Sequence, residues 1–197
     1  MQLTEEQRDI QRMVRNYAQE KIAPLAKEID ETGRFPAEAI QGLADMALWA
    51  EHSRRIRRSG MDEICKVVAI EEVAKCCAST AEILAVHLLV NDIIVKRGTE
   101  EQKREFLPAA AEGCLGAFAL TEAGAGTDAG GLTTKAVYAD GHYVLNGTKC
   151  FISNMGLMKA SRRSHRRDGQ GKGDSRRHDG LFDEAGHAGI FIGQDGR

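Results

Sequence analysis

The sequence predicts an α+β protein: an all-α helical domain over residues 1–113, then an incomplete antiparallel β domain over residues 114–159. Three observations predict it. Apolar residues recur at helical intervals through the first 113 positions, bounded by capping residues. From Leu115 onward, short apolar or alternating runs are separated by Gly-rich turns. The composition, 42% apolar and 28% charged with three Pro in 197 residues, suits globular domains and excludes collagen-like, low-complexity and disulfide-scaffold chains.

The helices follow in order. Thr4-Glu5-Glu6-Gln7 has capping-box spacing, and Ile10, Met13, Val14, Tyr17 and Ala18 lie on one face of a first helix expected to end near Pro24. A second starts at Pro36-Ala37, because Pro suits the first helical turn; Ile40, Leu43 and Ala44 form its apolar face. A third runs from about Asp62 with Ile64, Val67, Val68 and Val73. A fourth, Ser79 to Arg97, is apolar all round, as a helix buried between others is, and Gly98 stops it. Thr99-Glu100-Glu101-Gln102 repeats the capping box and opens a fifth, closed by Gly113. Strands are expected at Leu115 to Leu120, Thr133 to Ala139, His142 to Leu145 and Thr148 to Ile152. Asp140-Gly141 and Asn146-Gly147 favour tight hairpin turns.

No apolar run approaches the roughly 20 residues of a membrane span, and the polar start MQLTEEQ is no secretory signal. A cytosolic protein is expected. The five Cys are odd in number and show no C-x-x-C spacing, so neither a disulfide framework nor a zinc site is indicated, and reduced thiols are expected. Cys76 and Cys77 fall at a helix end. The net charge of −2 is uneven: ten of 17 Arg lie in Arg54 to Arg58 and Arg162 to Arg177. Residues 47–59 carry +3 and residues 160–197 carry +2, so the rest of the chain carries −7.

The segment that carries chemistry is Phe118 to Gly131, FALTEAGAGTDAGG. A strand runs into a loop where bare backbone at Gly124 and Gly126 lets a ligand approach N–H groups, and where Thr121 and Thr127 add hydroxyl donors for phosphate or heterocycle oxygens. Glycine alone also fits a mere tight connection. The loop is not a P-loop, lacking G-K-[ST], and it has no G-x-G-x-x-G ahead of a helix. By themselves Phe118 and Phe151 read as core aromatics, Thr121 and Ser153 fit strand-end hydrogen bonding as well, and His87 reads as a packed imidazole rather than a base.

Ala119 to Gly131, together with Gly147-Thr148-Lys149-Cys150-Phe151-Ile152-Ser153-Asn154 downstream and the helical domain upstream, resembles the acyl-CoA dehydrogenase family. The resemblance covers about Met1 to Met46 and Gly60 to Lys159, with Ala123 departing from the Pro that many members carry. It implies FAD as cofactor and an acyl-CoA substrate. It further implies that Phe118, Ala119, Leu120 and Thr121 contact the flavin through backbone groups and the Thr hydroxyl. Gly126 and Thr127 would approach the FAD phosphates, Thr127 would also touch the acyl-CoA, and Phe151, Ile152 and Ser153 would line the flavin. The helix Ile83 to Val95 would line the acyl pocket. The implied reaction removes an α-proton and a β-hydride to give trans-2-enoyl-CoA. An electron-transfer flavoprotein is the implied partner, and members are homo-oligomers. The implied base is a Glu of a C-terminal helical domain that these 197 residues do not contain, so Glu122 is not taken as catalytic and a fragment, inactive as it stands, is expected.

Residues 47–59, ALWAEHSRRIRRS, do not match the Ile-Pro-Glu-Glu-Tyr-Gly-Gly loop of the family. Synonymous codons for Leu48 to Met61, read one base later, give YGRNIPEEYGGAG. Codons for Lys159 to Arg176 treated alike give RRAVVLIVATDRAKGIR, a β-strand sequence. Residues 47–59 and the tail 160–197 are therefore read as out of frame. Two other readings are a nucleic-acid-binding protein using the Arg clusters and a non-catalytic helical interaction module. The first lacks aromatic residues interleaved with Arg162 to Arg177, which base stacking needs, so no nucleic acid and no membrane partner is expected.

Overall fold

The computed structural model describes residues 2–46, 62–139, 142–155, 179–181 and 190–192. The Arg-rich stretches 54–58 and 162–177, and the turn expected at Asp140-Gly141, lie outside the described residues. The chain divides into two units, Met1–Cys114 and Leu115–Arg197.

The first unit is helical: α1 (Glu5–Tyr17), a π turn (Ala18–Ile22), α2 (Ala23–Thr32), α3 (Ala37–Asp45), α4 (Glu63–Ala74), α5 (Ala78–Arg97) and α6 (Glu100–Ala111). Both predicted capping boxes form. Thr4 Oγ1 accepts from the Gln7 backbone N–H while the Thr4 N–H donates to Gln7 Oε1, and Thr99 and Gln102 do the same. Asp62 caps α4 by accepting from the Cys65 N–H at 2.8 Å, and its other oxygen accepts from Gln7 Nε2 at 2.7 Å, joining the starts of α1 and α4. α6 ends as expected at Gly113, whose φ of +95° only glycine adopts without strain.

The first helix does not stop at Pro24. It widens into a π turn, in which the Ala23 N–H donates to the Ala18 carbonyl, and Pro24 takes an early position of α2, where an N–H is dispensable. The expected single helix is therefore two, ended by Gly33 at φ +66°. α1 and α3 approach so closely that a Cβ on Gly42 would lie 1.9 Å from Tyr17 Oη, which donates to the Ala39 carbonyl.

Val14, Ala18, Ile22, Leu43, Ala69, Val73 and Leu84 are fully buried and form the core. Contrary to the expectation that no run approaches a membrane span, α5 is long and apolar enough by length and composition to pass for one, yet it packs among α3, α4 and α6. Polar side chains in this interior are paired. Glu72 receives a two-pronged Arg15 guanidinium, Nε to Oε2 at 2.9 Å and Nη2 to Oε1 at 2.8 Å, and also Gln11 and Lys75. Arg15 first, and then Lys75, hold its carboxyl down at about 2 against the opposing effect of burial. His87, fully buried, sits one turn from Asn91, Nε2 to Nδ2 at 2.9 Å, and burial pushes its pKa down to about 3. It is thus a packed, neutral imidazole. The five cysteines are free thiols, with Cys76 just past α4 and Cys77 at the start of α5.

The second unit holds β1 (Ala117–Phe118), a 3-10 turn (Ala129–Gly131), β2 (Lys135–Ala139), β3 (His142–Asn146), β4 (Asp179–Leu181) and β5 (Ile190–Ile192). β2 and β3 pair antiparallel with Lys135 opposite Asn146 and Ala139 opposite His142. β1, β5 and β4 form a second antiparallel sheet in that order, Ala117 opposite Phe191 and Gly180 opposite Phe191 on the other side. β4 and β5 lie in a stretch where no strand was expected. The strand expected at Thr148 to Ile152 is absent. Phe151 (φ +58°) and Asn154 (φ +70°) take left-handed backbone, which ends any extended run there, so Asn146-Gly147 closes no hairpin.

Candidate functional site

β1 delivers the Gly-rich segment. Phe118 is half-buried, Ala119 fully buried, Leu120 and Thr121 half-buried, and Gly126 and Thr127 exposed. After Thr121 the chain turns back tightly at Ala123-Gly124: the Glu122 N–H donates to the Ala125 carbonyl at 3.0 Å and the Ala125 N–H returns the bond at 3.1 Å. Asp128 accepts from the Gly130 N–H at 3.0 Å and shapes the 3-10 turn that follows.

The second motif comes back alongside. The Cys150 N–H donates to the Thr121 carbonyl at 2.9 Å, and Lys149 Nζ donates to the Leu120 carbonyl at 2.8 Å. Asn154 Nδ2 donates to the Gly116 carbonyl at 2.9 Å, so both ends of the second motif hold the strand leading into the first. Phe118 to Thr121 and Cys150 to Ser153, some thirty positions apart in sequence, are thus neighbours. Gly126 and Thr127 lie beyond the turn and make no hydrogen bond to the second motif.

Glu122 organises this arrangement. Its Oε2 accepts from the Thr133 N–H (2.8 Å) and hydroxyl (2.6 Å). Its Oε1 accepts from the Thr134 N–H (2.9 Å), the Thr134 hydroxyl (2.5 Å) and Lys149 Nζ (2.9 Å). The side chain is only 6% exposed. The Thr133 hydroxyl first, then the Thr134 hydroxyl, the Thr133 N–H and Lys149, hold the carboxyl well below the ordinary carboxylate range. A carboxylate held this far below its ordinary range is a weak proton acceptor. Gly147 allows β3 to pass Thr134: a Cβ there would sit 2.1 Å from the Thr134 hydroxyl oxygen.

Two features face outward. Among the described residues, the backbone N–H groups of Leu120, Thr121, Gly126 and Thr127 and the hydroxyls of Thr121 and Thr127 meet no protein acceptor. Phe151 is 92% exposed, so its ring is not a core aromatic; Ile152 and Ser153 beside it are half-buried. Open donors and an uncovered aromatic face on two adjoining motifs suit a planar ligand rich in acceptors.

The acyl-CoA dehydrogenase N-terminal domain model matches residues 4–114, and the middle domain model matches residues 117–191. The chain belongs to the acyl-CoA dehydrogenase family. Among relatives, it is 41% identical over 158 residues to the short-chain specific acyl-CoA dehydrogenase of Clostridium acetobutylicum, covering 79% of this chain and 42% of that one. It is 42% identical to an acryloyl-CoA reductase (NADH) of Anaerotignum propionicum, covering 78% and 40%. Among solved structures, butyryl-CoA dehydrogenase from Megasphaera elsdenii superposes with a TM-score of 0.72 at 37% identity, covering 81% of this chain and 43% of that one. An acyl-CoA dehydrogenase from Bacillus anthracis, complexed with FAD, gives 0.71 at 28% identity, covering 80% and 28%. The chain spans about two fifths of the length of the curated relatives it matches. Its helical and β units correspond to the two matched domains.

Glu122, Lys149, Thr133 and Thr134 were not among the site residues expected from sequence. The only sequence signal for them was an acid inside the Gly-rich loop and a Lys one residue before Cys150.

Proposed function

We propose that this chain forms the flavin side of an FAD-dependent acyl-CoA dehydrogenase that converts an acyl-CoA thioester to trans-2-enoyl-CoA. The observation that carries the reading is the juxtaposition of open donors on Phe118 to Thr127 with the exposed ring of Phe151. These residues fit FAD. The N–H groups of Leu120 and Thr121 and the Thr121 hydroxyl offer hydrogen bonds to ring heteroatoms, Phe151 offers a stacking face, and Gly126 and Thr127 offer N–H and hydroxyl donors to phosphate. When bound, the flavin supplies the hydride acceptor.

The chain's own residues bind and orient. Phe151 would hold one face of the ring system, Ser153 would lie beside it, and Thr127 would serve both the cofactor phosphates and the acyl-CoA. Among the described residues no carboxylate is assigned as the α-proton acceptor, Glu122 being engaged by five donors. Relatives named for short-chain and butyryl substrates make a short acyl-CoA the first to test, and a solved neighbour titled as an electron transferring flavoprotein of Acidaminococcus fermentans supports such a flavoprotein as electron acceptor.

The test is visible absorbance of the purified 197-residue chain after addition of FAD and then butyryl-CoA. Bound flavin that butyryl-CoA does not bleach supports the proposal; absence of flavin, with salt-sensitive nucleic-acid binding in its place, overturns it. The out-of-frame reading of residues 47–59 and 160–197 belongs to the same proposal, supported by their Arg-rich composition against an acidic remainder. Resequencing the gene across codons 47–60 and 155–165 checks it, and nucleotides that cannot be read as YGRNIPEEYGGAG and the strand sequence in the neighbouring frame refute it.

A further inference from the structure

We infer that Glu122 and Lys149 act together as positioning residues, a buried ion pair that aims the ligand-facing N–H of Thr121. This rests on the flavin reading of the site. A trans peptide unit joins one residue's carbonyl to the next residue's N–H on the opposite side, so fixing a carbonyl fixes where the following N–H points. Lys149 Nζ donates to the Leu120 carbonyl at 2.8 Å and to Glu122 Oε1 at 2.9 Å, while the Cys150 N–H takes the Thr121 carbonyl at 2.9 Å. Both carbonyls are thereby turned toward the second motif. The Leu120 carbonyl shares its peptide unit with the Thr121 N–H, which is left without a protein acceptor among the described residues, while the Thr121 carbonyl's own partner, the Glu122 N–H, closes the turn on the Ala125 carbonyl at 3.0 Å.

Glu122 is the other half of the device. Its four bonds from Thr133 and Thr134 anchor the carboxylate to the entry of β2, so Lys149 is held against a fixed point rather than a mobile side chain. Lys149 and Glu122 side chains are 10% and 6% exposed, so solvent screens the pair little. Lys149 is followed in sequence by Cys150 and Phe151, so the anchored side chain belongs to the same short segment that carries the stacking ring. Neither side chain is placed on the ligand itself.

The experiment uses the full chain with FAD as probe, and variants Lys149→Met, Glu122→Gln and Lys149→Arg. Three measurements are made: FAD affinity by flavin fluorescence, the visible band of whatever flavin remains bound, and deuterium uptake of residues 117–131 without FAD. Lys149→Met and Glu122→Gln are each expected to weaken FAD at least tenfold, to shift the band toward that of free flavin, and to speed deuterium uptake at least twofold. The double variant is expected to be no weaker than the worse single one, and Lys149→Arg to recover most of the affinity. Phe151→Ala serves as the contrast, losing affinity with uptake unchanged. A folded Lys149→Met chain with wild-type uptake and FAD affinity within twofold overturns the inference. If Lys149→Met does not fold, Glu122→Gln decides by the same criteria. If the wild-type chain takes no FAD, the flavin reading fails, and uptake in the FAD-free variants still decides whether the pair orders the loop.

Discussion

Replacing His87 by Gln should remove a defined part of the chain's acid sensitivity. The imidazole is fully buried in α5 and its pKa is pushed from the ordinary 6.5 down to about 3. The folded state therefore excludes a proton that the unfolded chain accepts. The stabilisation from keeping it neutral is fully present above pH 6.5 and is lost as pH falls from there toward about 3. At pH 5 the unfolded histidine lies about 1.5 pH units below its own pKa, and at about 1.36 kcal/mol per unit the loss is about 2 kcal/mol, against about 0.2 kcal/mol at pH 7. Carboxylates contribute little in this interval, because they stay ionised in both states. Gln keeps a polar group within reach of Asn91 Nδ2 and does not titrate. The assay is urea unfolding followed by helical circular dichroism at pH 7, 6 and 5. The wild type should lose about 2 kcal/mol more than the variant across that range. Equal losses in the two proteins would refute the argument, whatever their absolute stabilities.

Glu72, held at about 2 by Arg15 and Lys75, stabilises the fold above the ordinary carboxylate pKa, and that contribution declines as pH falls from about 4.5 to about 2. A Glu72→Gln chain should be less stable at neutral pH and should show a shallower decline over that acid range in urea titrations. Gly33→Ala places a side chain at φ +66° with no atom within 4 Å to meet it, so the cost is backbone strain alone, about 1 kcal/mol. Gly124→Ala, also in open space but without positive φ, should leave the thermal midpoint unchanged, and comparing the two melts checks this.

Features fixed by neighbours in sequence were legible; those fixed across the fold were not. Thr4 with Gln7 and Thr99 with Gln102 mark helix starts because each box is closed within four residues. Asp62 is similar. Pro24 misled, because a π turn can absorb a proline that an uninterrupted α-helix would not. The run Thr148 to Ile152 has the residue types of a strand, but its backbone is set by Lys149 and Cys150 bonding to Leu120 and Thr121 and by Gly147 passing Thr134. None of those partners is near in sequence. Phe118 to Thr127 and Phe151 to Ser153 were found through motif resemblance, whereas Glu122 gains its role from donors 11, 12 and 27 residues away, a relation that no local spacing encodes.

The central claim is that two adjoining motifs of this chain hold a flavin, with Phe151 as its uncovered stacking face. Equilibrium titration of FAD into the wild-type chain and into Phe151→Ala tests it most directly. Saturable binding of one FAD per chain, weakened at least tenfold in the variant with no change in melting temperature, is the predicted result. No binding by the wild type, or equal binding by both, would contradict it.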